Sequence, residues 1–226
     1  EAGKSYPFTL QATDRRGPLN MSLTWAMADR DYTSDALAAA GKADAVVLVM
    51  GISARLEGEE MPVRVEGFSG GDRVDIGLPK VQEDLMQKVA ALGKPTVLVL
   101  MNGSALAVNW ASDNIPAILE AWYPGQAGGT AIADVLFGDY NPAGRLPVTF
   151  YKSVDDLPPF TEYSMANRTY KYFTGTPLYP FGFGLSYTTF AYSNLKLPKS
   201  VKAGQPVKVS VTVANTGKRD GDEVVQ

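Results

Sequence analysis

The sequence predicts an α/β fold, a three-layer α/β/α sandwich on a mostly parallel sheet, and three observations carry that expectation. Residues 45–50 and 96–101 are continuously apolar and rich in β-branched side chains (Val46, Val47, Val49; Thr96, Val97, Val99), the pattern of strands buried on both faces. Between them, Val81, Leu85, Met86, Val89 and Leu92 recur at helical spacing, so strand, helix and strand follow one another. An apolar run at 117–121 and a helical stretch at 128–137 repeat the alternation, and strands alternating with helices build parallel sheets.

The flanking elements read as follows. Residues 6–13 alternate as a half-buried strand, Asp14-Arg15-Arg16-Gly17-Pro18 forms a turn, and residues 19–25 alternate again, which makes a β-hairpin. A short helix over 33–41 follows, with Thr33 or Ser34 as its cap and Gly41 as its stop. In the central helix, over 79–92, Pro79 suits the first turn and Gly93 the position past the end. Residues 153–189 are rich in Pro, Tyr, Phe and Gly without helical period, and read as a long ordered arm that wraps a surface. Residues 202–214 alternate with Val207, Val209, Val211 and Val213 on the inner side, and Asn215-Thr216-Gly217 supplies a turn. This is the start of a β-sandwich left incomplete, and the whole chain reads as a fragment of a longer polypeptide.

Composition narrows the chemistry. The 226 residues carry a formal net charge of -3 with Lys and Arg scattered, which gives no footprint for phosphate backbones or anionic lipid. No apolar run approaches the ~20 residues of a bilayer span. Nucleic acid and membrane partners are therefore not expected. With 0 Cys and 0 His there is no thiolate, no imidazole ligand and no Ser-His-Asp triad. Carboxylates, Tyr, Lys and Ser remain, and no cofactor or metal is implied.

Ligands of open α/β sheets bind beyond the carboxyl ends of the strands. The loop leaving the first strand there is acidic, Leu56-Glu57-Gly58-Glu59-Glu60-Met61. The loops Met101-Asn102-Gly103-Ser104 and Trp122-Tyr123-Pro124-Gly125-Gln126 leave the next two strands, and all three should share one rim. Glycoside hydrolysis needs a proton-bearing carboxylic acid facing a second carboxylate ~5 to 9.5 Å away. Neighbouring like charges help an acid hold its proton, and Glu57, Glu59 and Glu60 supply them. Spacing does not choose among the three, and the competing reading is a solvated charge run. Glu66 is a further carboxylate in the segment.

The other polar residues of the rim have structural readings. Asp72 and Arg73 read as an ion pair or a cap, and Ser104 as a turn residue, because G-x-S-x-G and a His are both absent. Trp122 and Tyr123 are expected to pack the core rather than stack on a sugar. Gly125 to Gly129 precedes a helix without a dinucleotide or Walker pattern.

Taken together, these residues resemble glycoside hydrolase family 3, the β-glucosidase and β-xylosidase family. The likeness is carried by the acidic loop, Gly67-Phe68-Ser69-Gly70-Gly71-Asp72-Arg73, Leu78-Pro79 with Gln82, Ala121-Trp122-Tyr123-Pro124-Gly125-Gln126, Gly138-Asp139-Tyr140-Asn141-Pro142-Ala143-Gly144-Arg145-Leu146-Pro147, and Tyr179-Pro180-Phe181-Gly182-Phe183-Gly184-Leu185-Ser186-Tyr187. The resemblance implies a barrel with the nucleophilic Asp, a sandwich domain whose loop bears the acid/base Glu, and a fibronectin type III-like domain. It divides the chain into 1–28 (end of an inserted β module), 29–160 (sandwich), 161–195 (connecting arm) and 196–226 (start of the fibronectin-like domain).

By its place after Gly58, Glu59 best matches the acid/base position, followed by Glu60 and then Glu57. The implied activity is retaining removal of terminal β-linked glucosyl or xylosyl units from an oligosaccharide or aryl glycoside, in the periplasm or outside the cell. The partner is the barrel of the same polypeptide, without which the fragment is expected to be inactive. The alternative is a non-catalytic carbohydrate-binding or scaffold module.

Overall fold

A computed structural model describes residues 3–11, 30–58 and 60–226. Of the expected amino-terminal hairpin, the second strand and the turn lie outside these residues, and residues 4–11 form no strand. The first element is helix α1 (Tyr32–Lys42), one residue earlier than the sequence indicates. Asp31 is its cap in place of Thr33 or Ser34: its side chain accepts from the Ser34 amide at 3.0 Å, satisfying an otherwise orphaned donor. Strand β1 (Val46–Gly51) leads to a two-residue hairpin, β2 (Phe68–Ser69) and β3 (Asp72–Arg73), then to α2 (Lys80–Ala90), β4 (Thr96–Met101), α3 (Asn109–Asn114), β5 (Ala117–Glu120) and α4 (Gly128–Phe137).

The class expected from sequence is the one observed. Strands β1, β4 and β5 form a parallel sheet in that order, with Val46 opposite Thr96 and Val97 opposite Ala117. Alternation along the strands sends Leu48, Met50, Leu98 and Leu100 to one face, where they join Met86 and Val89 of α2 and Ala40 of α1 in a single buried cluster. The other face is uneven. Val99 is fully buried, whereas Val47 and Val49 on β1 are more than half exposed.

Beyond α4, Gly138 ends the helix in the left-handed conformation (φ 85°). The arm contains a short 3-10 turn (Val154–Asp156) and one helical turn, α5 (Thr169–Tyr172). It is fastened by Phe150, which pairs with Tyr179 and packs edge-on against it. An antiparallel pair follows, β6 (Phe190–Lys196) with β7 (Ser210–Asn215). The inward alternation read over 202–214 holds only inside β7, for Val211 and Val213; Val207 and Val209 are exposed and precede the strand. Two strands alone cannot enclose a second face for them.

The segments are locked together by polar contacts. Asn141 accepts from Ser186 and the Tyr187 amide and donates to the Asp220 carbonyl. Arg145 pairs with Glu223 at 2.6 Å with both side chains largely buried.

Candidate active site

The exit of β1 is fixed by α2. The Gln82 amide clamps Gly51 at both ends, accepting from its N–H and donating to its carbonyl, each at 2.8 Å. Gly51 sits at φ 142°, and a Cβ there would overlap the Met101 backbone. Only glycine lets β1 and β4 run this close at the point where the acidic loop begins.

The β2–β3 hairpin braces that loop from the other side. Its turn residues Gly70 and Gly71 both have positive φ, as tight hairpin turns require. Gly71 is pressed against the Gly58 carbonyl, leaving no room for a side chain. Arg73 then reaches under the rim, donating to Ser104 Oγ at 2.9 Å, to the Ala105 carbonyl at 2.8 Å and to the carbonyls of Asp75 and Gly77. The sequence reading of Arg73 as one half of an ion pair or a cap is corrected here. It stitches the β3 and β4 loops through four acceptors, because a planar guanidinium can serve several carbonyls at once.

Glu57 is the carboxylate this scaffold holds. One oxygen accepts from Ser104 Oγ in a short contact, and the other from the Tyr123 hydroxyl at 2.6 Å. Gly103 is needed beneath it, since a Cβ there would stand 2.6 Å from the Tyr123 ring and 3.1 Å from Glu57 Oε2. Partial burial, and then the Glu57 carboxylate, push the Tyr123 hydroxyl above its ordinary range, so it stays a donor. Burial lowers the Arg73 guanidinium, with Glu57 and Asp75 opposing the shift.

The three loops thus meet on one rim, as their positions after parallel strands required. Two expectations change. Tyr123 is partly exposed and bonded to Glu57 rather than packed in the core. Ser104 is a bridge between Arg73 and Glu57. Trp122 packs edge-on against Phe150 at 6.0 Å and also lines an open cavity.

That cavity measures about 720 Å³ and is walled by Arg73, Gly103, Ser104, Trp122, Val148 and Tyr151 among others. Glu57 is bonded to one of those residues, Ser104. Glu60 is exposed at φ 52°, and Glu66 is exposed further along. Glu59 lies outside the described residues. Among the described residues, no group of three or more acidic side chains is placed to hold a metal ion.

A carboxylate that the sequence reading passed over stands on the same rim. Glu120, the last residue of β5, accepts from the Trp122 amide at 3.1 Å and lies 3.4 Å from Asn102 Nδ2. Burial raises its pKa to about 7, against which its two hydrogen bonds work. Only its position gave it away: an acid closing an otherwise apolar strand.

An α/β domain that holds carboxylates beyond its strand ends, beside an open cavity with aromatic walls, places these groups where open α/β sheets bind their ligands. The chain belongs to the glycosyl hydrolase family 3 C-terminal domain family, whose model matches residues 7–187. It is 51% identical over 181 residues to a xylan 1,4-beta-xylosidase of Xylanibacter ruminicola, covering 80% of this chain and 21% of that protein. It is 44% identical over 206 residues to a periplasmic beta-glucosidase of Salmonella typhimurium, covering 85% and 26%.

Among solved structures, a β-glucosidase of Erythrobacter marinus superimposes with a TM-score of 0.71 at 40% identity, covering 84% of this chain and 25% of that one. The chain thus spans about a quarter of the length of the relatives it matches.

Proposed function

We propose that this chain is the acid/base-bearing part of an exo-acting, retaining β-glycosidase that removes terminal glucosyl or xylosyl units, with the nucleophile on another part of the same polypeptide. The observation that carries the reading is the acidic loop held at the strand ends, with Glu57 tied to Ser104 and Tyr123 at the edge of the cavity. Membership in the family and relatives named for β-xylosidase and β-glucosidase activity support it.

The loop divides its labour in this reading. Glu57, with both oxygens engaged, anchors the loop. Glu59 follows the braced Gly58 and delivers the proton to the departing oxygen, then takes one from water. Glu60 is the second choice for that role. The name of the Salmonella relative supports a periplasmic or secreted location.

The test is Glu59→Gln and Glu60→Gln, made separately in the full-length protein. Glu59→Gln should lower kcat/KM on alkyl or sugar aglycones by about 10²- to 10⁴-fold, the usual share of general acid catalysis. Dinitrophenyl glycosides, whose leaving groups need no proton, should recover most of the first step. Full activity of Glu59→Gln on unactivated substrates moves the role to Glu60, and full activity of both variants removes the loop from the chemistry.

A further inference from the structure

A second hollow, of about 190 Å³, adjoins the cavity at the rim. It shares Pro147, Val148, Thr149 and Tyr151 with that cavity and adds Thr169 and Tyr170 from the arm. One strip of chain, 147–151, therefore borders both spaces. The proton-transfer reading uses the rim and gives the arm side no task.

The arm side presents two tyrosines held by other aromatic rings. Tyr170 stacks on Phe181 with centroids 4.3 Å apart and planes 19° from parallel, yet remains 56% exposed. Tyr151 packs at right angles to Phe173 at 5.0 Å, and its hydroxyl accepts from the Thr169 amide at 2.8 Å. Thr169 is held at φ 55°, a left-handed conformation that a β-branched residue takes only when its surroundings impose it. The chain before it is closed on itself. Arg168 donates to the Pro159 and Glu162 carbonyls, while Asn167 donates to the Asp156 carbonyl and accepts from the Thr174 amide. Both rings thus stand fixed before a ligand arrives, which lowers the ordering cost of binding. Lys171 Nζ, 6.0 Å from the Tyr170 centroid, brings ammonium donors beside the ring.

We infer that the hollow lined by Tyr151 and Tyr170 binds the leaving part of a β-linked oligosaccharide, beyond the sugar units nearest the bond that is cut. The inference deepens the glycosidase reading and rests on it for the identity of the ligand. A general acid protonates the departing oxygen, so the module that carries the acid faces the aglycone. Glu57 of the acidic loop meets the cavity at Ser104, and from there the 147–151 strip leads to Tyr170. A pyranose suits this lining, with an apolar C–H face for a tyrosine ring and hydroxyls at its edge for donors such as Lys171. Units next to the cleaved bond occupy the larger cavity, so the second hollow adds affinity only for longer chains.

The experiment measures KM in the full-length protein for β-linked xylo- and gluco-oligosaccharides of two to five units, in wild type, Tyr170→Ala and Tyr170→Phe. Wild-type KM should fall about tenfold between the disaccharide and the longer chains, the size of one aromatic contact. Tyr170→Ala should lose that fall, and Tyr170→Phe, which keeps the ring, should retain it. A wild-type KM independent of chain length, or a fall that survives Tyr170→Ala, overturns the proposal. So does a lowered thermal transition in Tyr170→Ala with an unchanged chain-length profile, which would mean that another part of the polypeptide covers the hollow.

Binding without cleavage separates this site from the chemistry. Thio-linked oligosaccharides of two and four units, which resist hydrolysis, should differ about tenfold in Kd by calorimetry, and Tyr170→Ala should remove the difference. A wild-type protein that turns over no glycoside yet shows this difference defeats the glycosidase reading and keeps the site. Equal Kd values for the two lengths overturn the site whatever the turnover.

Discussion

Glu57 and Glu120 stand on the same rim, one at each side of the Asn102–Ala105 loop, yet their surroundings differ in kind. Glu57 is met by two hydroxyl donors and lies in the field of Arg73. Glu120 is met by one backbone amide and a distant side-chain amide, and burial raises its pKa to about 7. The lesson is that two acids on one rim are held by different donors at different depths, and that burial is what raises the pKa of Glu120. Ser104 joins the two halves, bonding Glu57 through its hydroxyl and Asn102 through its carbonyl.

The comparison breaks most severely at Arg73. Arg73→Met should leave the carbonyls of Ala105, Gly77 and Asp75 and the Ser104 hydroxyl short of a donor, and should destabilise this domain by about 3 kcal/mol. Thermal unfolding of the full-length protein would report it as an earlier transition for this domain. An unchanged transition would mean that the stitch is not what holds the loops together.

A second measurement sharpens the contrast through pH. Glu120 has a folded pKa of about 7 against a reference of 4.5, so the folded state holds the proton more tightly than the unfolded chain. Stability should therefore be greatest below the reference value, fall as pH rises from about 4.5 to about 7, and level off above, by about 3 kcal/mol. Glu120→Gln should lose that slope. The chain contains no His to titrate in the same range. A wild-type slope that survives in the variant would assign the titration elsewhere.

The smallest effect is expected at Tyr123. Tyr123→Phe removes one donor from Glu57 and leaves the Ser104 contact, which should cost about 1 kcal/mol of domain stability. Glu57→Gln in the Tyr123→Phe background should then add less than Glu57→Gln alone, a non-additivity expected of partners. Strict additivity would separate the two residues.

Much of the scaffold was legible in the chain itself. The runs 45–50 and 96–101 read as parallel strands from their unbroken β-branched stretches, and both strands stand within one residue of those bounds, although β1 is buried on one face only, with Val47 and Val49 exposed on the other. α4 occupies the 128–137 stretch read as helical. Local signals fared worse where the contact lies outside the local pattern. Asp31 caps α1 although Thr33 and Ser34 looked equally suited, because the choice depends on which side chain reaches the free amide. Val207 and Val209 alternate correctly but find no second face.

The site divides along the same line. What the sequence by itself determined was that three loops share the rim and that one of them is acidic, since the end of a parallel strand follows from the order of elements. What only the tertiary structure decided was which acid is tethered and which is buried. Glu57 meets Tyr123 across 66 residues and Ser104 across 47, and Glu120 meets Asn102 across 18. Protonation depends on donors, charges and exposure within a few ångströms, and those neighbours become neighbours only when β1, β4 and β5 lie side by side.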